Sequence, residues 1–287
     1  VLDNDCDGIA DPDEVDDDGD GSSVCGGDCD DGDANVHDLD LDGDGWSICD
    51  GDCDDLDAGF FPGAAGTPIA DPLATVLGQP YALDFSTATF TQPPGIGSLL
   101  GQFMGDLGWH IQITMLDETQ CTLDAFMAFV TAGVQDLCGV TLELTAGGMG
   151  AWNNPQVLTG PADLAFDDGS GTMTLFDVQF AWVFDSLGSS LSDGEFDATL
   201  DTRYLDPQLD PYGGEGAACA LLVSLGISCD PCPDGSGTFC IPLEAHGLTG
   251  AAATVVGWEP ETGQQYNQLT EVSQADVDAW IAGGYCP

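Results

Sequence analysis

The sequence predicts a mainly β protein of α+β type, built in two parts. Residues 1–64 read as an irregular array of loop repeats. Residues 65–287 read as a disulfide-containing β-rich domain, a sandwich or open barrel with two or three short helices. Three observations predict this. Aspartate and glycine recur at fixed offsets through the first sixty or so residues, with no helical pattern flanking them. Beyond residue 65 the chain turns apolar and glycine-rich, and apolar residues alternate with polar ones at the period of a strand. Twelve cysteines are spread over both parts, a usage that belongs to an oxidising compartment.

The array comes first. Asp3, Asp5, Asp7, Gly8 and Glu14 fit the spacing D-x-D-x-D-G-x5-E without a gap. Asp16, Asp18, Asp20 and Gly21 begin the pattern again, and Asp40, Asp42, Asp44 and Gly45 begin it a third time. The stretches that start at Asp16 and Asp40 align as two copies of a 24-residue unit, preceded by a shorter 13-residue unit from Asp3. A fixed period marks a stacked array. Alternate carboxylates at loop positions 1, 3 and 5 turn toward one centre, the glycine at position 6 allows a sharp turn, and position 7 offers a backbone carbonyl. Position 7 is Ile9, Ser22 and Trp46 in the three units. A second cluster in each long unit, Asp28, Asp30 and Asp33 and then Asp52, Asp54 and Asp57, either completes the same site or founds its own. All-oxygen donors select hard cations, and Mg²⁺ demands stricter octahedral geometry than Ca²⁺. Several Ca²⁺ ions per chain are therefore expected.

Two families are resembled at these residues. D-N-D-C-D-G-I-A-D-P-D-E, from Asp3, resembles a thrombospondin type-3 repeat, an extracellular calcium-binding array with little regular secondary structure. The G-D-C-D-D-x-D-A units at residues 27–34 and 51–58, the second followed by Pro62-Gly63-Ala64, resemble the MopE-type metal-binding motif of secreted bacterial proteins. The resemblance covers about the first fifth of the chain and implies calcium ligands at the aspartates named above. The second family is associated with copper, but His37 is the only imidazole in the array and no methionine is present there.

Residues 62–68 read as a boundary linker. In the body, Trp109, Ile111, Ile113 and Met115 are expected to share one strand face, with His110, Gln112 and Thr114 opposite. Val140, Leu142 and Leu144 repeat this. Val178, Phe180, Trp182 and Phe184 form the most apolar strand face. Phe196, Ala198 and Leu200 alternate with acids, and Phe239, Ile241, Leu243 and Ala245 alternate with Cys240, Pro242, Glu244 and His246. Residues 123–134 are apolar enough for a buried helix or a strand. Residues 215–225 predict a short helix. Ser273 is expected to cap a final helix that carries Asp276 in its first turn and ends at Gly283-Gly284.

The charge bounds the partners. The chain carries 51 acidic residues against one cation, Arg203, with no lysine. Like charges about 5 Å apart repel by roughly 0.8 kcal/mol even at the dielectric of water. Bound cations or high salt are therefore expected. Nucleic acid is excluded, because nothing neutralises phosphates, and no apolar run reaches the length of a membrane span. Asp201, Asp206 and Asp210 around Arg203 read either as another cation site or, with Arg203 the only countercharge, as the source of a structural carboxylate pair around it.

The cysteines leave several pairings open. Cys25/Cys29 and Cys49/Cys53 stand four apart in equivalent repeat positions and admit local bridges, although thrombospondin-like arrays link successive repeats instead. Cys121 can pair with Cys138. Cys219, Cys229, Cys232 and Cys240 allow three connectivities, with a zinc site as the alternative at Cys229-x-x-Cys232. The array holds five cysteines and the body seven, both odd, so full pairing needs a bond between the two parts. Local pairing leaves Cys6 and Cys286, which are expected to bond within one chain or between chains.

No catalytic motif emerges, and the chain is read as no enzyme. His110 and His246 fall on polar strand faces, and Ser189-Ser190 lacks the surroundings of a nucleophile. The absence of an initiator methionine is read as removal of a signal peptide. The expectation is a secreted or surface-displayed, calcium-stabilised structural or adhesive protein, able to self-assemble through calcium or disulfide contacts into a filament or layer. The alternative is a binding module for an apolar or glycan ligand on a calcium-stiffened stalk.

Overall fold

The computed structural model describes residues 39–50, 52, 56, 58, 61, 63–118, 121–135, 137–145, 150–167, 172–209, 214–258 and 265–286, together with Gly19, Cys29 and Gly32. The elements run α1 (Pro72–Thr75), β1 (Pro80–Asp84), β2 (Thr89–Gln92), α2 (Gly97–Asp106), β3 (Trp109–Asp117), β4 (Thr122–Thr131), β5 (Val134–Gln135), β6 (Leu142–Glu143), β7 (Gly150–Asn153), β8 (Gln156–Asp167), β9 (Thr172–Phe184), β10 (Ser190–Asp201), α3 (Asp206–Leu209), α4 (Ala217–Ser224), β11 (Cys240–Ala252), β12 (Gly257–Trp258), β13 (Gln265–Tyr266) and α5 (Gln274–Gly283).

Eleven strands form one antiparallel sheet, and the sheet closes on itself. The ring runs β1-β3-β4-β7-β8-β9-β10-β11 and returns to β1 through the β1–β11 pairing. Closure explains a detail of β11. Its one edge pairs with β10, and its other edge is shared, with β1 along residues 249–252 and β2 along residues 244–246. β1 and β2 thus act as one interrupted strand. A closed ring leaves no long unpaired edge to recruit other chains. The architecture is therefore a barrel that is shut rather than open, and not a two-sheet sandwich.

Alternation decides what fills it. Val178, Phe180, Trp182 and Phe184 of β9, Phe196, Ala198 and Leu200 of β10, and Ile241, Leu243 and Ala245 of β11 are all buried, as their period predicts. Phe85, just past β1, stands among Phe90, Trp109, Phe180 and Phe196 with ring centroids 6.4, 5.6, 6.5 and 5.5 Å away. Barrels of this strand number leave an interior that side chains can fill, and here aromatic rings fill it.

One expectation is corrected in detail and one open alternative is decided. On β3 the pairing with β4 shifts register between Ile113 and Met115. The shift turns Met115 outward to a half-buried position and puts Leu116 in the core. The apolar run 123–134, open between helix and strand in the sequence, is strand: β4 through Thr131, then a turn into β5. It lacks alternation because both of its faces are covered. Leu123, Ala125 and Met127 enter the barrel core, while Phe126, Ala128 and Val130 pack outside with Val255 and Leu269. The outer cover is the C-terminal segment, which side chains latch down. The Gln112 amide accepts from the Leu269 N–H at 3.0 Å, the Gln135 amide from the Thr270 N–H at 2.8 Å, and the Thr141 hydroxyl from the Val272 N–H at 2.9 Å.

Helix α4 lies where residues 215–225 predict it. Helix α5 begins with a reciprocal cap between Ser273 and Asp276 and ends in a left-handed Gly284. Helix α2 has no counterpart in the expectation; it carries Gly97, Gly101 and Gly105, and glycine is a poor helix former. The glycine at its start answers a steric demand. A Cβ on Gly97 would lie 2.7 Å from the Phe90 carbonyl oxygen, so the helix can only approach β2 this closely without one.

The disulfides also differ from expectation. Cys138 bonds Cys286, not Cys121, and Cys286 therefore does not bond Cys6. Cys138 lies in the segment that packs with α5 through Leu137, Val140, Val272, Val277 and Trp280, so its nearest sulfur is the one that follows α5. The cluster of four resolves into Cys219–Cys229 and Cys232–Cys240, which removes both thiols of the zinc alternative. Cys29 bonds Cys49, joining successive long units and setting aside the local Cys25/Cys29 and Cys49/Cys53 bridges. Cys6, Cys25 and Cys53 lie outside the described residues.

Arg203, the one cation, donates from Nε to both Asp201 oxygens at 3.0 Å, from Nη1 to Glu215 at 3.2 Å and from Nη2 to Ser236 at 2.7 Å. Its guanidinium also lies 5.1 Å from the Phe239 ring centroid. Asp206, expected beside it, instead accepts the Gly216 and Ala218 N–H groups at the start of α4. Asp210 lies outside the described residues.

Three substitutions test these arguments by urea unfolding. Gly97→Ala should destabilise by about 1–3 kcal/mol, the usual range for overpacking. Gly105→Ala, whose Cβ meets nothing closer than 3.9 Å, should be neutral or stabilise by up to about 1 kcal/mol, the helix-propensity difference. Arg203→Met should cost about 1–3 kcal/mol, because it strips charged hydrogen bonds from a buried Asp201.

Candidate metal site

Among the described residues, one group of carboxylates converges closely enough to hold a metal ion. Asp40, Asp42 and Asp44 bring one oxygen each within 4.8 Å of one another. The loop is shaped by the aspartates themselves. Asp40 accepts the Gly43 N–H at 2.6 Å on Oδ1 and the Gly45 N–H at 3.0 Å on Oδ2. Asp42 Oδ1 accepts the Asp44 N–H at 3.1 Å, and Asp44 Oδ1 accepts the Trp46 N–H at 2.8 Å. Each carboxylate thereby curls the chain after it, and the three heads gather on one side. Gly45 has φ +100° and no atom within 4 Å of where a Cβ would lie. Its role is conformational, as position 6 of the loop requires.

Oδ2 of Asp44 is buried and accepts no hydrogen bond. A buried carboxylate oxygen without a donor is costly. Arg203, the sole cation, is engaged at the far end of β10. Hard-cation coordination is the chemistry that suits three aspartate oxygens.

The sequence-predicted ligands divide cleanly. Asp40, Asp42 and Asp44 are brought together. Trp46 follows them, and its ring stacks on Phe61 at 6.5 Å between centroids, which ties the loop to the chain just before the barrel. Asp52 is fully buried, with its N–H donated to the Ser47 carbonyl at 2.9 Å, but it is not one of the converging three. Asp3, Asp5, Asp7, Ile9, Glu14, Asp16, Asp18, Asp20, Ser22, Asp28, Asp30, Asp33, Asp54 and Asp57 lie outside the described residues.

The body offers less chemistry. His110 Nδ1 lies 3.0 Å from the Gly108 carbonyl, and burial pushes its pKa below the ordinary value. His246 is exposed and lies 3.3 Å from Glu195. A cleft of about 630 Å³ lies on the surface between α2 and the β1–β2 turn, edged by Asp84, Ser86, Thr89, Ser98, Gln102 and Asp106. Sequence reasoning did not find it, because it depends on the glycine-rich helix.

No family model, curated protein or solved structure matches the chain. The site is therefore judged on its own geometry.

A cross-strand acidic pair gives a test of how the outer face bears its charge. Asp197 lies opposite Glu244 in the β10–β11 register, with Glu195 and His246 as the next pair. Burial raises the Asp197 pKa first, then Glu244 and Glu195, against a lowering by His246. A carboxylate with a raised folded pKa binds its proton more readily in the native state, so its ionisation lowers stability as pH rises through that value. Asp197→Asn should stabilise by roughly 0.2–1 kcal/mol at neutral pH, the size of an opposed like-charge pair. The gain should shrink as pH falls through the raised pKa, measured by thermal unfolding across pH 3 to about 7.

Proposed function

We propose that this chain is an extracellular, calcium-stabilised structural or adhesive protein in which an acidic array is held on a closed β barrel. The observation that carries the reading is the convergence of one oxygen each from Asp40, Asp42 and Asp44, in a chain whose single cation, Arg203, is already engaged. Calcium bound there would supply charge neutralisation and fix the loop. Asp40, Asp42 and Asp44 would hold it, with the Trp46 carbonyl at the seventh loop position. The resemblance to thrombospondin type-3 and MopE-type repeats extends the same reading to the earlier units.

Four disulfide bonds among the described residues fit an oxidising, extracellular setting. No helix of the described residues is long and apolar enough to cross a membrane. Outward residues of β10, such as Ser192, Glu195, Asp197 and Thr199, are polar, which suits contact with water. The array also exposes Leu39 and Leu41 beside the acidic loop. Apolar side chains next to cation sites suit a surface that associates once its charge is neutralised. The aromatic filling of the barrel weighs against an apolar ligand held inside it.

Calcium titration by calorimetry tests the site. Asp44→Asn should reduce the calcium bound per chain by one ion, or weaken one site by tenfold or more, with the barrel's circular dichroism unchanged. Unaltered calcium binding in this variant would remove the triad from the account. Light scattering tests assembly: calcium should raise the mean particle mass and chelator should lower it, whereas a single monomeric species in millimolar calcium would contradict an assembling role.

A further inference from the structure

Six of the seven cysteines beyond residue 64 pair among themselves, as Cys138–Cys286, Cys219–Cys229 and Cys232–Cys240. The seventh, Cys121, is disulfide-bonded as well, yet no other sulfur of the body remains for it. We infer that Cys121 staples the barrel to the acidic array, so that the array is a fixed part of the barrel surface rather than a free stalk.

A second observation places the array's end at the same corner. Cys121 stands at the head of β4, and its carbonyl accepts the Trp152 N–H at 2.9 Å. Two residues on, the Asn154 carbonyl accepts the Gly63 N–H at 3.1 Å. The Asn154 side chain then exchanges two hydrogen bonds with the backbone of Ile69, at 2.8 and 2.9 Å. The chain leaving the array is thus clasped to the β7–β8 turn, two residues from the partner of Cys121. Two residues of strand span only about 7 Å. The array cysteine nearest this clasp in sequence is Cys53, ten positions before Gly63.

The bond requires the same oxidation as the others: two thiols lose two protons and two electrons to a disulfide exchange partner of the compartment. Its consequence is mechanical coupling. Ordering of the acidic loops by a cation would reach the barrel through a covalent link as well as through the residue 63–69 clasp. The inference rests on the cysteine pairing and stands or falls apart from the identity of the metal.

Peptide mapping of the full, non-reduced chain tests it. After alkylation of free thiols and proteolysis, the Cys121 peptide should be recovered joined to a peptide from residues 1–64, and reduction should separate the two. Cys121→Ser should expose one new alkylatable thiol within residues 1–64. Alkylation of Cys121 without reduction would overturn the inference. So would a Cys121–Cys121 link between two chains, or the absence of a new array thiol in the variant.

Discussion

Electrostatic self-repulsion is the constraint on which the rest of this structure depends. A chain with 51 carboxylates and one guanidinium cannot fold by pairing its charges. It uses the carboxylates as hydrogen-bond acceptors instead. Asp71 caps α1, Asp206 caps α4, Asp276 closes the cap of α5, and Asp185 accepts the Ser189 and Ser190 N–H groups in the β9–β10 turn. An aspartate at a helix start or turn has its charge partly satisfied by backbone dipoles. Asp185 accordingly keeps a lowered pKa through its bonds to Ser189 and Ser190, against the opposing effect of burial. Arg203 is spent where no backbone donor suffices, on the buried Asp201.

The barrel is the other half of the solution. Closing the sheet puts aromatic and branched side chains inside and leaves the acids on the outer face. Hydrophobic burial there opposes a repulsion that no internal ion pairing could offset. The acidic loop of Asp40, Asp42 and Asp44 lies outside this arrangement. Its carboxylates curl their own loop by accepting backbone N–H groups and bring one oxygen each within 4.8 Å of one another, where we propose that a cation sits.

Much of this was legible in the sequence, and the rest was hidden for identifiable reasons. Strands with one inward face, such as β9, β10 and β11, show their period plainly. β4 did not, because a C-terminal segment some 140 residues away covers its outer face. The register shift in β3 reversed Met115 and Leu116, a backbone event that no side-chain pattern announces. Helix α2 was masked by glycines whose purpose is close packing on Phe90. Cysteine spacing misled at Cys138 because pairing follows the fold, and the fold brings the end of α5 to it. Parity is a separate argument from spacing: the odd counts demand a bond between array and body if every cysteine is paired, Cys286 is not its body end, and the inference drawn above assigns Cys121 to that place. The Asp40 loop was readable because its geometry is local: the four hydrogen bonds by which its aspartates curl the chain each span five residues or fewer.

The central claim is that cations hold the acidic array. Elemental mass spectrometry of protein purified without chelator tests it most directly, by counting metal per chain. The account predicts several calcium ions per chain, lost on chelation. A chain that carries no calcium, and takes none up from millimolar solution, would contradict it.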